Sequence, residues 1–238
     1  MLAIFKREMR SYFTTSLGYI FLAFSLVISG FFFSISTVMS ETADTSLYFT
    51  LLIFLMVIFL PILTMRSFSE ERKTKTEQLV LTSPVSIPSM VLGKFFSAVC
   101  MLLIYLALSW TFTIPLFAHV AEGSRVNVAL IFGNMLALIL VGMVIIALGL
   151  LISSLTENQF AAIVITIAIL LLLLLVSSLS DYISAYFIRM IFDWLSIYSR
   201  FEKFTYGIFD FGALIYYISL AGVFIFLTVR VYDTRRYR

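Results

Sequence analysis

The position of the charged residues along the chain constrains its fold more than any other feature. Six stretches of about twenty apolar residues contain no Asp, Glu, Lys or Arg, and the charges collect in the tails and a few short loops. A bilayer core about 30 Å thick is crossed by about twenty residues of helix, at 1.5 Å per residue. We therefore predict an all-α integral membrane protein with a single transmembrane domain over residues 1–238.

Composition excludes a soluble protein. The chain is 62% hydrophobic and 12% charged, whereas soluble domains are about 25% charged. The net charge of +3 is that of a weakly basic protein, but the basic residues are divided between the two ends and one loop and form no basic face. We expect contact with membrane lipid and no nucleic-acid partner.

The apolar stretches predict six transmembrane helices. Their expected bounds are about 17–39, 47–65, 90–117, 127–154, 160–180 and 211–229. The first stretch is longer than the 7–15 apolar residues of a signal peptide, so we expect it to be retained. Residues 1–16 place apolar side chains on one stripe and basic ones off it, which predicts an amphipathic helix at the membrane interface.

The distribution of Lys and Arg predicts the orientation. Twelve of them fall in the N-terminal tail, the 66–94 segment and the C-terminal tail. Four fall on the other side: Arg125, Arg189, Arg200 and Lys203. Because basic residues favour the cytoplasmic side, we expect both termini and the 66–94 segment in the cytoplasm.

The segment between the second and third spans has the densest charge. Ser67 stands three residues before Glu70, the spacing of a capping box at a helix start. The pattern predicts a helix over about 68–82, a break at Pro84 and a second helix capped by Ser86. An ordinary solvated loop is the alternative interpretation.

Residues 181–210 are too charged to cross a membrane and too apolar to remain in water. They predict two short helices in the outer interface, between the fifth and sixth spans. These helices would be either a plain interface anchor or an external gate, for which the candidate residues are Arg189, Asp193 and Trp194.

Several catalytic patterns are missing from the sequence. It contains no G-x-x-x-x-G-K-[ST] nucleotide-binding loop, no G-x-S-x-G and no H-E-x-x-H. Cys100 lies inside a span and His119 at the end of one, without further metal ligands close by in sequence. We therefore expect no enzyme activity, cofactor or metal in this chain, and an energy source in a separate protein.

The order of motifs resembles a known family. M-R-S-F-S-E-E-R-K follows the second span, T-x-x-L-V-L-T-S-P-V-S comes next, and V-L-G-K begins the third. This order resembles the ABC-2 family of ABC-transporter permeases, and within it the gliding-motility and nitrous-oxide-accessory type. The basic opening before Gly18-Tyr19 and the F-x-x-x-x-x-G-x-x-D pattern over 201–210 are similar as well.

The resemblance implies a six-span permease that forms a homodimer, or pairs with a homologue, and docks two separate ATPase subunits. It implies that the helix after the second span, about Ser69–Thr82, is the coupling helix. The residues expected to face the ATPase are Glu70, Glu71, Arg72, Lys73 and Thr76.

The chain departs from the family pattern at one place. The family often has Gly-Thr followed by a Glu two residues later, whereas this chain has Lys75 at the glycine place and Gln78 at the glutamate place. Glu77 lies one residue earlier. The acid that contacts the ATPase is therefore either Glu71 or Glu77.

These observations predict the membrane subunit of an ATP-driven transporter, most simply an exporter, in the cytoplasmic membrane. A second hypothesis is a signalling or assembly module that docks an ATPase and moves no solute. A third is an integral membrane enzyme that uses Asp181, Asp193 and Glu202, although their spacing matches no catalytic pattern.

Overall fold

The computed structural model describes residues 1–39, 45–78, 85–114, 128–180 and 196–236, with the side chains of 176–180 excepted. These residues form helices, and no strand occurs among them. The helices are α1 Leu2–Thr14, α2 Ser16–Phe33, α3 Ser46–Thr64, α4 Arg66–Lys73, α5 Ile87–Trp110, α6 Val128–Leu155, α7 Gln159–Ser180, α8 Tyr198–Thr205 and α9 Phe211–Arg236. A π-helical turn, Ser34–Val38, extends α2, and a 3₁₀ turn, Thr111–Thr113, extends α5.

Five helical segments among the described residues are long and apolar enough to cross a bilayer. They are Ser16–Val38, Ser46–Lys73, Ile87–Thr113, Val128–Leu155 and Phe211–Arg236. The apolar segment Gln159–Leu175 of α7 is shorter. The prediction of an all-helical membrane protein is thus confirmed with five candidate spans, and the sixth crossing stays a prediction.

The last span ends later than the sequence predicts, whereas the predicted start of α5 is confirmed. The last span was expected to end near residue 229, but α9 continues to Arg236. Its final turns are held by tertiary contacts, since Tyr232 is buried against Phe68 at a ring distance of 4.8 Å. At the start of α5, Ser86 occupies the N-cap position as predicted, although its hydroxyl makes no capping hydrogen bond.

Helix α6 forms the centre of the bundle. It packs against α3, α4, α5, α7, α8 and α9. Of an apolar 18-residue stretch of α6, 72% is buried inside the bundle. Gly142 lies against Leu102 of α5, and Gly149 lies against Thr64 of α3. A Cβ atom at either glycine would collide with these side chains, so the two glycines allow the close approach of the neighbouring helices.

Polar elements gather at two ends of the bundle. Helices α1 and α4, the turn between α6 and α7 and the last turn of α9 meet at one end, which we call the charged end. At the opposite end the Ser46 hydroxyl, on the first residue of α3, donates to the carbonyl of Thr205 in α8 at 3.5 Å. The charged end therefore brings together segments that are far apart in the sequence.

Candidate functional site

The segment after α3 bends into α4 at a point fixed by a side chain from α6. The hydroxyl of Ser153 accepts hydrogen bonds from the backbone amides of Phe68 and Ser69, at 3.2 and 3.1 Å, and donates to the carbonyl of Met65 at 2.9 Å. The predicted capping by Ser67 was wrong, because α4 begins at Arg66, two residues before the predicted start, and Ser153 satisfies the free amides. No local pattern in the sequence indicates this long-range cap.

Helix α4 is shorter than the predicted 68–82 and ends at Lys73. The Thr74 hydroxyl donates to the carbonyl of Glu70 at 2.8 Å and contacts the Thr76 hydroxyl at 2.9 Å. The helix ends because the Lys75 amide turns to the carbonyl of Arg72 at 3.1 Å and Lys75 adopts a left-handed backbone conformation, a common way for a helix to terminate. A single turn therefore stands at the tip of the segment, while residues 79–84, with Pro84, lie outside the described part.

Lys75 lies at the centre of this turn with a φ of 59°. This left-handed region costs a residue with a side chain about 1 kcal/mol and costs glycine almost nothing. Lys75 stands at the place where the resemblance expects glycine, so the backbone keeps the glycine-like conformation although the residue differs.

The carboxylate of Glu71 joins α4 to two other helices. Its Oε1 pairs with Arg7 of α1 at 2.6 Å, and its Oε2 pairs with Lys94 of α5 at 2.8 Å. Glu8 of α1 lies 2.7 Å from Arg7 and 3.6 Å from the Lys94 ammonium. Two acids and two bases thus form one neutral cluster, which we call the Lys94 cluster.

Lys94 itself is buried, with 1% of its side chain exposed. Its ammonium donates to the carbonyl of Ser67 and lies 4.5 Å from the centre of the Phe68 ring. A buried ammonium is stable only when its charge and its N–H donors are matched, and here the carboxylates, the carbonyl and the aromatic face match them. The sequence signal for this residue was a lysine in the second turn of an otherwise apolar span.

Arg72 connects α4 to the turn between α6 and α7. Its Nη1 donates to the carbonyl of Leu155 at 2.9 Å, and its Nε pairs with Glu157 at 3.1 Å. Since Leu155 is the last residue of α6, Arg72 also neutralises the negative end of that helix.

Glu77 connects the segment to the end of the chain. It pairs with Arg235 of α9 at 3.1 Å, and Arg235 also donates to the carbonyl of Ser154 at 2.7 Å. Glu70 turns back on its own helix and forms a two-bond pair with Arg66, at 2.6 and 2.7 Å. Both acids that the sequence left as candidates for the ATPase contact, Glu71 and Glu77, are therefore engaged in ion pairs within the chain.

Comparison with known proteins decides the family. Residues 40–231, more than three quarters of the chain, match the model described as ABC-2 family transporter protein. The chain belongs to the ABC-2 family. Comparison with curated protein sequences gives no significant match. As an ABC-2 protein it is the membrane-embedded permease component of an ABC transporter, a component that transports rather than catalyses and that normally works with ABC ATPase subunits.

The predicted docking residues of the permease divide into two groups. Lys73 and Thr76 lie on the exposed tip together with Thr74 and Lys75. The other predicted residues lie partly buried: Glu71, Arg72 and Glu77 hold neighbouring elements, and Glu70 pairs with Arg66 of its own helix. The exposed tip, Lys73–Thr76, is thus a basic surface that lies directly on a set of internal ion pairs.

The gate candidates of the permease, Arg189, Asp193 and Trp194, lie outside the described residues. At the opposite end the structure describes α8 and the loop that follows it. Lys203 pairs with Asp210 at 2.8 Å, and Asp210 accepts from the Gly212 amide at 2.8 Å at the start of α9. The hydrogen bond from Lys203 is the largest of the interactions that lower the pKa of Asp210.

Proposed function

We propose that this permease is the membrane subunit of an ATP-driven exporter, and that α4 with its exposed tip is the element on which a separate ATPase subunit docks. The observation that carries the proposal is the position of α4. Its tip is exposed, its side chains bind α1, α5 and the α6–α7 turn, and Glu77, directly after the tip, binds α9. A movement imposed on the tip would therefore reach most of the helices that surround it.

The contacts of α4 suggest how the movement is transmitted. Glu71 would pull on α1 and α5 through Arg7 and Lys94. Arg72 would act on the end of α6 and on the α6–α7 turn, and Glu77 on the last turn of α9. Coupled rigid-body shifts of packed helices are a common route from a local push to a change of access. Under this proposal Glu71 transmits the force, and the ATPase contacts the Lys73–Thr76 tip.

The complete transporter would contain two permease copies and two ATPase subunits. Each permease would cross the cytoplasmic membrane six times, with α7 as the fifth crossing and the charged end on the cytoplasmic side, where ATP is available. The 181–195 segment would lie outside and contribute the gate residues Arg189, Asp193 and Trp194. Within the family, the motif order after α3 supports the gliding-motility and nitrous-oxide-accessory type.

The docking proposal is tested by reversing charge at the tip. The double variant Lys73→Glu with Lys75→Glu is expressed in the native host, and the permease is purified from its membranes in mild detergent. A basic tip implies an acidic docking surface on the ATPase, so we expect the ratio of ATPase subunit to permease to fall about tenfold or more, since like charges brought together at an interface cost several kcal/mol. The measurement is quantitative mass spectrometry of the purified complex.

Lys203→Glu is the matched control, because it reverses an exposed lysine at the opposite end. It should leave the ratio of ATPase to permease unchanged. An unchanged ratio in the tip variant, or the absence of any ATPase from the wild-type complex, would contradict the proposal. A complex that hydrolyses ATP in proteoliposomes and moves no lipid, peptide or drug would favour the signalling or assembly module instead.

A further inference from the structure

An apolar groove runs along the outer face of the bundle between α2 and α3. It has a volume of about 440 Å³, within the range of about 300–1,000 Å³ found for ligand pockets. Its apolar lining consists of Leu17, Ile20, Phe21, Phe24, Phe59 and Ile62. The α2 part, from Ser16 to Phe24, is about 12 Å long at 1.5 Å per residue. Because both helices are candidate spans, the groove lies along a part of the bundle that is apolar enough to stand within the bilayer.

The groove ends at a cationic group. Arg66 is the one charged residue in its lining, which also includes Ser16, the first residue of α2. The N-terminus of an 18-residue helix adds a partial positive charge at the same place. Thr15, at the N-cap, directs its hydroxyl back to the carbonyl of Ser11 at 2.7 Å and does not cap the helix.

The pairing of Arg66 leaves part of its guanidinium for a ligand. Glu70 binds the Nε and Nη2 atoms, so the two N–H donors on Nη1 have no partner among the described contacts. Glu70 lines a separate polar pocket of about 50 Å³ behind Arg66, with Tyr12 and Ser67, and is absent from the groove lining. Burial raises the pKa of Tyr12, so its phenol stays neutral and adds no competing negative charge.

We propose that this groove binds an anionic phospholipid, with one acyl chain along α2 and the phosphate at Arg66. An acyl chain gains little by moving from the bilayer into a groove that is equally apolar. Selectivity therefore resides at the cationic end, where a planar guanidinium can donate two hydrogen bonds to one phosphate. The proposal requires membrane insertion and does not depend on ATPase docking.

The test compares lipids that differ only in headgroup. The purified full-length permease is equilibrated with phosphatidylglycerol or phosphatidylcholine of identical acyl chains, and bound lipid is counted by native mass spectrometry. We expect wild type to retain phosphatidylglycerol preferentially. Arg66→Gln should lower this preference about fivefold, the effect of one basic residue at an anionic membrane surface. Arg230→Gln removes an exposed arginine of α9 outside the groove and should change nothing.

Two further variants separate lipid binding from local damage. Glu70→Gln breaks the same ion pair and keeps Arg66, so we expect phosphatidylglycerol retention to persist or rise. If Glu70→Gln instead lost as much lipid as Arg66→Gln, the ion pair would be structural and the proposal overturned. Ile20→Trp fills the groove and should reduce retention of both lipids, whereas Ile58→Trp, similarly exposed on α3 but outside the groove lining, should not.

Other occupants would give distinct outcomes. Equal retention of both lipids by wild type would overturn the proposal, as would displacement of the lipid by inorganic phosphate alone. A second permease copy in the groove would be detected by Ile20→Cys in a Cys100→Ala background. Efficient disulfide cross-linking between two copies at that position would show that the groove is a dimer contact and would overturn the lipid proposal. The absence of cross-linking would support the lipid site.

Discussion

At the level of single residues, the Lys94 cluster decides how α4 is held. The ammonium of Lys94 lies 2.8 Å from Glu71 and is almost fully buried. Taking such a charge out of water costs several kcal/mol, and only its partners offset this cost. The cluster is therefore stable as a whole and vulnerable at each member, and it fixes α4 against α1 and α5.

The first prediction concerns this dependence. Lys94→Met should lower the free energy of unfolding by about 3 kcal/mol, because it leaves the Glu71 carboxylate with one partner fewer. Combining it with Glu71→Gln should cost less than the sum of the single changes, with a coupling of about 1–3 kcal/mol. The measurement is denaturant unfolding in detergent micelles, and the exposed Lys73→Met should stay within about 0.5 kcal/mol of wild type. Additive losses would refute the coupling.

The sequence revealed the residue types of this site better than their partners. The charge of the 66–77 segment was apparent, and so was the glycine-like position of Lys75 within the family pattern. The sequence did not reveal the cap from Ser153 or the pairing of Glu71 with Lys94, because both contacts join residues that are far apart along the chain. Local sequence patterns indicate that a residue requires a hydrogen-bond or charge partner, and the tertiary fold determines which group is that partner.

At the level of elements, α6 acts as the support on which the other helices rest. Its glycines allow α5 and α3 to pack closely against it, and its last turn carries Ser153, which fixes the start of α4. Hydropathy predicted most ends of the five candidate spans within a few residues, since the thickness of the bilayer sets the length of a crossing helix. The ends of α4 and α9 were missed because hydropathy does not determine them: α4 ends at the left-handed backbone of Lys75, and the last turn of α9 is held by side-chain contacts.

The second prediction tests the close approach of α6 and α3. Gly149→Leu should lower the free energy of unfolding by about 1–3 kcal/mol, because the new side chain meets Thr64 just before α4. The substitution should also shift α4. A cysteine introduced by Thr74→Cys in a Cys100→Ala background should then react with a maleimide at a different rate when Gly149→Leu is present. Gly133→Leu is the control on the same helix, where an added Cβ meets nothing within 4 Å. Equal losses in the two variants would exclude tight α6–α3 packing as the cause.

At the level of the whole molecule, the two ends of the bundle differ in character. The charged end collects α1, α4, the α6–α7 turn and the last turn of α9. The opposite end holds α8 and the loop through Asp210. The distribution of Lys and Arg in the sequence predicts the same grouping of the termini with the 66–94 segment. The side of the membrane that each end faces stays a prediction.

The third prediction tests this orientation in intact cells. Single cysteines are introduced in the Cys100→Ala background at Thr74 and at Tyr206, both of which are exposed. A membrane-impermeant maleimide should label Tyr206→Cys in whole cells and Thr74→Cys only after the membrane is opened. Leu52→Cys, at a fully buried position, should resist labelling in both conditions. Labelling of Thr74→Cys from outside would reverse the assigned orientation.

The contact between Glu77 and Arg235 has a consequence for biosynthesis. Arg235 leaves the ribosome more than 150 residues after Glu77, so the tip of α4 stays without this support until α9 has been synthesised. The same residue also covers the carbonyl of Ser154 at the base of α6. A polypeptide that stops before Arg235 therefore lacks the ion pair with Glu77, and the segment after α4 gains this contact only once α9 is present.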